Sequence, residues 1–353
     1  MNNIVEQFLT LVKINSPSGE EDKMASYLKL WLTKHSFNFK QDKLGSILAT
    51  KEGVGESLLF SAHMDTVEPG RNIGPIVSNE VIKSDGSTIL GADNKAALAA
   101  LLVAIEKYEI DKGKRPLELL FTVKEECGGG VDNFPLSWIK SKIGFIFDYS
   151  APIGEIAISS PEIINFTIKF IGKAGHSSNP NKGINALIPA SQFIQNIGIG
   201  KKNKGMTTIN IGIVKGGDGV NIIPETIELK GELRSISKKY FKSNLAKISN
   251  LAKKLAKKYK TKLIFSTDGY CSGYAHAKND KSIAKLVKLY KQINLQPKLT
   301  DTWGVSDANV LNNVLKTINM SDGTKNVHSC KESISIKNLE NLTKMVLNII
   351  VNY

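Results

Sequence analysis

Three short runs in the first half of the chain are apolar almost throughout, and each ends in charged residues. They are SLLFSAHMD over 57–65, LELLFTVKEE over 117–126 and IGFIFDY over 143–149. Apolar runs of this length predict buried strands. Between the first two lies NKAALAALLVAIEKY over 94–108, apolar nearly all round. That pattern predicts a buried helix, with Asp93 at its N-cap, where free amides and the helix dipole favour a carboxylate. The opening segment MNNIVEQFLTLVKI predicts an amphipathic first helix.

The pattern changes near Pro161. EIINFTIKFIG, MTTINIGIVKGG and TIELKGELRS alternate apolar and polar positions, as half-exposed antiparallel strands do, and GGDGVN reads as a turn between two of them. INALIPASQFIQNIG and YFKSNLAKISNLAKKLAKKY predict helices packed on those strands. After about Gly269 the α/β pattern returns, with helices expected in SIAKLVKLYKQI, DANVLNNVL and LENLTKMVLNIIVNY. The expected organisation is an α/β domain over 1–160 and 269–353, interrupted by an α+β domain over 161–268.

At 353 residues the chain is longer than one core usually holds, consistent with two domains. No apolar run approaches the roughly 18 residues needed to cross a bilayer. The N-terminus lacks a basic leader and carries Glu6 inside its apolar stretch, so it reads as structure rather than a signal peptide. Three cysteines (Cys127, Cys271, Cys330) make no disulfide framework and suit a reducing cytoplasm. The formal charge of +14 raises nucleic acid as a partner, but only Arg71, Arg115 and Arg234 are arginines, the residue type that reads bases and forks onto phosphates. Neither nucleic acid nor membrane is therefore expected as a partner. The segment 238–262 contains no acidic residue, and Phe241, Leu245, Ile248, Leu251 and Leu255 fall on one stripe. It reads as a packed helix with a solvated lysine face.

The chemistry lies where the apolar runs end. Ligands of open α/β sheets gather at the carboxyl ends of strands, so His63, Asp65, Glu125, Glu126 and Asp148 can converge although far apart in sequence. His63 and Asp65 are two apart and share a face. Glu125 and Glu126 are adjacent on an expected strand end and point to different places, so one can bind metal while the other acts as general base. A charge such as Asp148 at the end of an apolar strand is costly unless paired or metal-bound. With Asp93 and His328 in NVHSC, two imidazoles and several carboxylates form the ligand set for metal-assisted hydrolysis. Cys127 is expected to be a small buried packing residue rather than a ligand, His35 to lie on the surface, and His276 is left open.

These segments resemble the peptidase T-like branch of the dinuclear zinc aminopeptidases, aminoacylases and carboxypeptidases. SAHMDTV, GADNKAALAALL, KEECGG, FDYSAPIGEI, KAGHSSNPNKGINAL, GVNIIPE, GELRS, SDANVLN and NVHSCKE occur in that family's order over nearly the whole chain. The resemblance implies a zinc exopeptidase catalytic domain of the phosphorylase/hydrolase-like α/β kind, with an inserted α+β lid or dimerisation domain. It implies two divalent metal ions, zinc foremost with cobalt or manganese as alternatives. Asp93 would bridge them, His63 and Asp148 would complete one site, and Glu126 and His328 the other. Asp65 would orient His63, and Glu125 would be the general base. His176 in AGHSS would stabilise the oxyanion, from its own subunit or a partner's, and Asn221 and Arg234 would contact the substrate carboxylate. A cis peptide is implied at Asp93–Asn94.

Asn94 stands where many relatives have a second aspartate, and Val305 replaces a loop glycine. Aspartate rather than glutamate at 148 resembles the aminopeptidase side of the family. The function implied is release of N-terminal residues from short peptides by a cytoplasmic enzyme, with a homodimer through the lid. The rivals are an N-acyl amino acid deacylase or dipeptidase with the same ligands, and a non-catalytic relative serving assembly.

Overall fold

Leu117–Thr122, Leu58–His63, Ile143–Tyr149 and Lys316–Ser321 lie side by side in that order as four parallel strands. Their carboxyl ends therefore share one edge of the sheet. Asn38–Gln41 and Ile47–Lys51 extend it antiparallel beyond the first of these, and Glu155–Ser160 pairs antiparallel with the last. This is a computed structural model that describes residues 3–110 and 114–353, so Met1 and Asn2 of the expected first helix lie outside the described residues. The chain forms two compact units, one holding it up to Ile158 and from His276 onward, the other Ser159–Ala275.

In the first unit every residue of Leu58–His63 and Leu117–Thr122 is buried, as in the middle of a parallel sheet, and Leu58, Phe60, Leu117, Leu119, Phe121 and Phe145 join the core formed with the helices. The segment Ala92–Ile110 is the central helix, and residues 96–105 are 0–1% exposed. Its many alanines let neighbouring elements approach closely, and Phe8, Leu11, Leu342, Val346 and Ile349 from the first and last helices belong to the same core. These helices, Asn3–Val12 and Ile336–Asn352, are amphipathic, with their apolar stripes turned inward.

In the second unit Glu162–Ile171 lies between Thr226–Ser235 and Lys262–Cys271 in a five-stranded antiparallel sheet. Its alternation puts Ile164, Phe166, Ile168 and Phe170 on one face, under Leu187–Ile197 and Lys238–Lys258. Gly231 stands opposite Phe166. A Cβ there would come within 2.3 Å of both the Phe166 ring and the Asn210 carbonyl, so the register admits no side chain.

Several sequence expectations need correction. The basic helix buries Phe241, Ile248 and Leu255 as its stripe predicts, but Leu245 and Leu251 are only partly covered, while Asn244 and Ala252 are buried. DANVLNNVL forms only Asp307–Leu311, because the Asn312 side chain binds both Thr317 N and Thr317 O and turns the chain into the next strand. His35 is not a surface residue. Its side chain is 11% exposed, stacked on Trp31 with ring centroids 4.1 Å apart, and its Nδ1 lies 2.6 Å from Glu109 Oε2.

Candidate metal centre

His63 is the last residue of its strand, and Asp65 follows it off the sheet. His63 Nδ1 lies 3.0 Å from the Asp65 carbonyl oxygen and 3.4 Å from Asp65 Oδ1. A carbonyl can only accept, so Nδ1 carries the proton and, in the neutral ring, Nε2 is the nitrogen left free to bind a metal. Nε2 points at Asp93, 3.2 Å from Oδ1.

The Asp65 carboxylate is buried and has further duties. Its Oδ1 accepts from Glu125 N at 3.0 Å, and its Oδ2 accepts from Glu126 N at 3.1 Å and Ser18 Oγ at 2.6 Å. Burial would raise its pKa, but the bonds to His63, Ser18 and Glu125 N hold it below the usual carboxylate range. It thus stays charged, and fixes both the imidazole and the segment bearing the two glutamates.

That segment differs from the expected strand end. The strand stops at Thr122, Lys124 adopts φ 58°, and Glu125–Cys127 is a 3₁₀ turn. The turn, rather than strand alternation, separates the two glutamate side chains. Glu126 Oε1 meets His328 Nε2 at 3.0 Å, and His328 Nε2 is also 3.4 Å from Asp93 Oδ2. Asp93 has a non-helical backbone (φ −80°, ψ 106°) just before the regular helix, and the Asp93–Asn94 peptide is cis. At the position expected to be an N-cap, its carboxylate instead has one oxygen toward each histidine.

Ligand atoms of His63, Asp93 and Glu126 lie within 4.8 Å of one another, as do those of His63, Glu125 and Asp148. His63, Asp93, Glu125, Glu126, Asp148 and His328, from six separate positions, are thus brought together. Cys127, expected to be a small buried packing residue, is instead exposed because it closes the 3₁₀ turn, and it belongs to neither group. His276 is half-buried and its Nε2 bonds the Thr317 carbonyl.

The electrostatics suit divalent cations. Removal from water raises the Glu125 pKa well above the usual range; His63 opposes this, while Asp307, Glu126 and Asp93 add to it. Asp148 is raised well above its range by desolvation and then by Glu125 and Asp93. Burial opposes the charging of His63, but hydrogen bonds to Asp65 and Asp93 more than offset it and raise its pKa well above the usual value. Hydrogen bonds to Asp93 and then Glu126 push His328 up to about 10. Four carboxylates crowded together repel, and two imidazoles become ligands only when neutral. Asp93, Glu125, Glu126 and Asp148 carry four negative charges when ionised, which two divalent cations balance. The mix of imidazole nitrogen and carboxylate oxygen suits zinc-like ions.

Other residues that shape this site were not singled out from sequence. Glu332, Asn319, Asp307 and Asp322 are buried polar groups near the ligands in the fold. Asp307 accepts from Thr122 Oγ1 at 2.5 Å and Val131 N at 3.1 Å, bracketing the Glu125 turn. Glu332 occurs in the NVHSCKE segment, four residues after His328, and that spacing was the available signal.

His176, Asn221 and Arg234 belong to the second unit. His176 pairs with Ile222 in a two-stranded ribbon, and Ser177 N bonds the Asn221 carbonyl, so His176 and Asn221 are neighbours. Ser178 N donates to His176 Nδ1 at 3.2 Å, which leaves the proton of a neutral ring on Nε2. The Arg234 guanidinium grips Glu232 with two bonds, Nε to Oε1 at 2.6 Å and Nη2 to Oε2 at 2.9 Å.

The family model for an M20 peptidase dimerisation domain matches residues 158–260. Peptidase T of Clostridium perfringens (strain 13 / Type A) is 26% identical over 411 residues, covering 100% of this chain and 99% of that protein. The structure of aminopeptidase PepT from Bacillus cereus ATCC 10987 superposes with a TM-score of 0.95 at 28% identity, covering 99% of this chain and 97% of the other. A Staphylococcus aureus Mu50 tripeptidase gives a TM-score of 0.94, again at 28% identity, 99% and 97% covered. Sequence and structure thus match along the full length, through both units.

Proposed function

We propose that this chain, peptidase T-like from end to end, is a dinuclear metal-dependent aminopeptidase that releases N-terminal residues from short peptides, tripeptides foremost. The observation that carries the reading is the convergence of two imidazoles and four carboxylates beyond the carboxyl ends of the parallel strands. A binding module has no need of so costly an arrangement.

In this reading His63 and Asp148 would hold one cation, Glu126 and His328 would hold the other, and Asp93, with one oxygen toward each histidine, would serve both. When bound, the cations supply Lewis-acid polarisation of the scissile carbonyl and make water a usable nucleophile at neutral pH. Zinc is the proposed metal, with cobalt or manganese as substitutes. Glu125 takes the proton from the attacking water and returns it to the leaving amine. Its desolvated setting favours that exchange, because burial raises the pKa of the carboxyl and so makes it a stronger base than an exposed glutamate. Asp65 keeps the His63 tautomer fixed, and its bonds to Glu125 N and Glu126 N hold the base and one ligand in register.

His176, Asn221 and Arg234 are proposed substrate contacts on the strength of the resemblance. A donor at His176 Nε2 suits an oxyanion. Self-association through the second unit is also part of the proposal, supported by the dimerisation-domain match and read by sedimentation. A cytoplasmic setting is proposed as well: the three cysteines are free, and no helix among the described residues is long and apolar enough to cross a membrane.

The test is hydrolysis of a panel of free di- and tripeptides, N-blocked peptides and N-acetyl amino acids, by metal-stripped protein with zinc, cobalt or manganese restored. Metal-dependent cleavage of free tripeptides alone supports the reading. Turnover confined to N-acyl substrates would replace it with a deacylase.

A further inference from the structure

We infer that Glu332 is a positioning residue for the metal centre, fixing through three backbone amides the turn from which Asp93 projects. The inference rests on the metal reading above. Glu332 Oε2 accepts from Leu90 N at 2.8 Å and Gly91 N at 2.7 Å, and Oε1 accepts from Asp93 N at 3.1 Å. The side chain reaches across more than 230 residues of sequence and is 1% exposed.

These amides need an outside acceptor. Gly91 has φ +69° and Asp93 is extended, so the turn into the central helix has no ladder or helical carbonyl to satisfy them. Buried amides without partners are costly, and the first amides of a helix lack intrahelical acceptors. One carboxylate meets all three.

Its own footing is rigid. Glu332 N bonds Ser329 O, Ser84 N bonds Glu332 O, and the next residues, Ser333–Ser335, pair antiparallel with Val81–Lys83. Glu332 also lies four residues beyond His328. It therefore ties the segment bearing one ligand to the turn bearing the shared ligand. A bridging carboxylate must aim both oxygens, and Asp93 has Oδ1 toward His63 and Oδ2 toward His328. A small rotation of its backbone would swing both.

Glu332→Gln separates this role from simple filling. The shape is kept, and the amide oxygen can still serve Leu90 and Gly91. The amide nitrogen then faces Asp93 N–H, donor against donor, or the amide flips and loses the other two bonds. The experiment titrates cobalt(II) into metal-free wild type and E332Q, following calorimetric heat and the visible ligand-field spectrum, with thermal unfolding of both metal-free proteins alongside. The expected result is a folded E332Q whose affinity for at least one cobalt equivalent falls about 10–100-fold, with an altered spectrum at saturation. A merely structural role would lower the unfolding temperature and leave the saturated spectrum unchanged, which overturns the inference. Equal affinity and spectrum in both proteins overturn it as well. E332D keeps the charge but is one methylene short, and gives the same reading if E332Q does not fold. A wild type that takes up no cobalt would sink the metal reading, and this inference with it, whereas normal uptake by wild type and variant alike sinks the inference alone.

Discussion

Asn319 holds the backbone of Asp148 with both of its polar groups: Oδ1 accepts from Asp148 N at 3.0 Å, and Nδ2 donates to Asp148 O at 2.8 Å. The register between Lys316–Ser321 and Ile143–Tyr149 shifts between Asn319 and Ser321, so the ladder is interrupted beside Asp148 and a side-chain amide takes its place. Nδ2 also donates to Ser306 Oγ, the cap of Asp307–Leu311, whose first residue holds Thr122 and Val131 around the Glu125 turn. One proposed ligand and the proposed base thus sit at the two ends of a single polar chain.

Asn319→Leu keeps the volume and removes all three bonds, to Asp148 N, Asp148 O and Ser306 Oγ. Each polar group orphaned in this setting costs about 1–3 kcal/mol. The metal-free protein should unfold at lower denaturant, and metal affinity should fall about tenfold or more. Denaturant unfolding and calorimetric titration check this. An unchanged midpoint would mean that water replaces the amide.

Glu125→Gln should lower kcat by about 10²–10⁴-fold, the usual worth of a positioned general base. Metal content should stay at two equivalents, because Glu125 is proposed as the base and the five ligands remain. Single-turnover kinetics together with elemental analysis check both halves. Full activity in the variant would remove Glu125 from the role of base.

Stripping the metals with a chelator should abolish hydrolysis, and adding zinc, cobalt or manganese back should restore it. It should also destabilise the fold, because the cations bind only the assembled site. Saturation at 100 times Kd is worth about 2.7 kcal/mol. Scanning calorimetry with and without chelator reads the difference. A midpoint indifferent to metal would argue that the ligand cluster serves the fold alone.

Asp280 gives a pH prediction away from the metal centre. It caps Lys281–Gln292 through Ser282 N and meets Lys316 Nζ at 2.6 Å. The hydrogen bond from Lys316 lowers its pKa, and the bonds from Ser282 N and Ile283 N act in the same direction. A folded pKa below the unfolded value near 3.9 means that the unfolded chain binds more protons in that window. Its stabilisation is therefore fully present above about pH 4 and lost as pH falls through the lower folded value. Asp280→Ala should cost about 1 kcal/mol at pH 7 and less below pH 3. Unfolding midpoints of both proteins, followed from pH 7 to about pH 2, should converge at the acid end as pH falls through the lowered folded value; parallel curves would contradict the assignment.

The ligand-bearing segments were legible because each obeys a local rule: apolar runs over 58–63, 117–122 and 143–147 closing on acids or a histidine, and an alanine-rich helix after Asp93. The two units were legible for the same reason, since a period of two and near-continuous apolar runs differ within a dozen residues. Chain turns that depend on distant groups were not legible. Strand alternation suggested how Glu125 and Glu126 diverge, but Asp65 captures both their amides in a 3₁₀ turn. The helix expected over 307–315 stops early because Asn312 finds Thr317.

By itself, then, the sequence determined which residue types stand at the strand ends, because burial and periodicity act over a few neighbours. Tertiary structure alone decided which nitrogen of His63 is free, how Asp93 faces two histidines, and that Glu332 and Asn319 hold the ligands' backbones. Apart from the local contact of His63 with the Asp65 carbonyl, those outcomes are set by contacts between groups up to 242 residues apart, whose partners meet only in the folded chain.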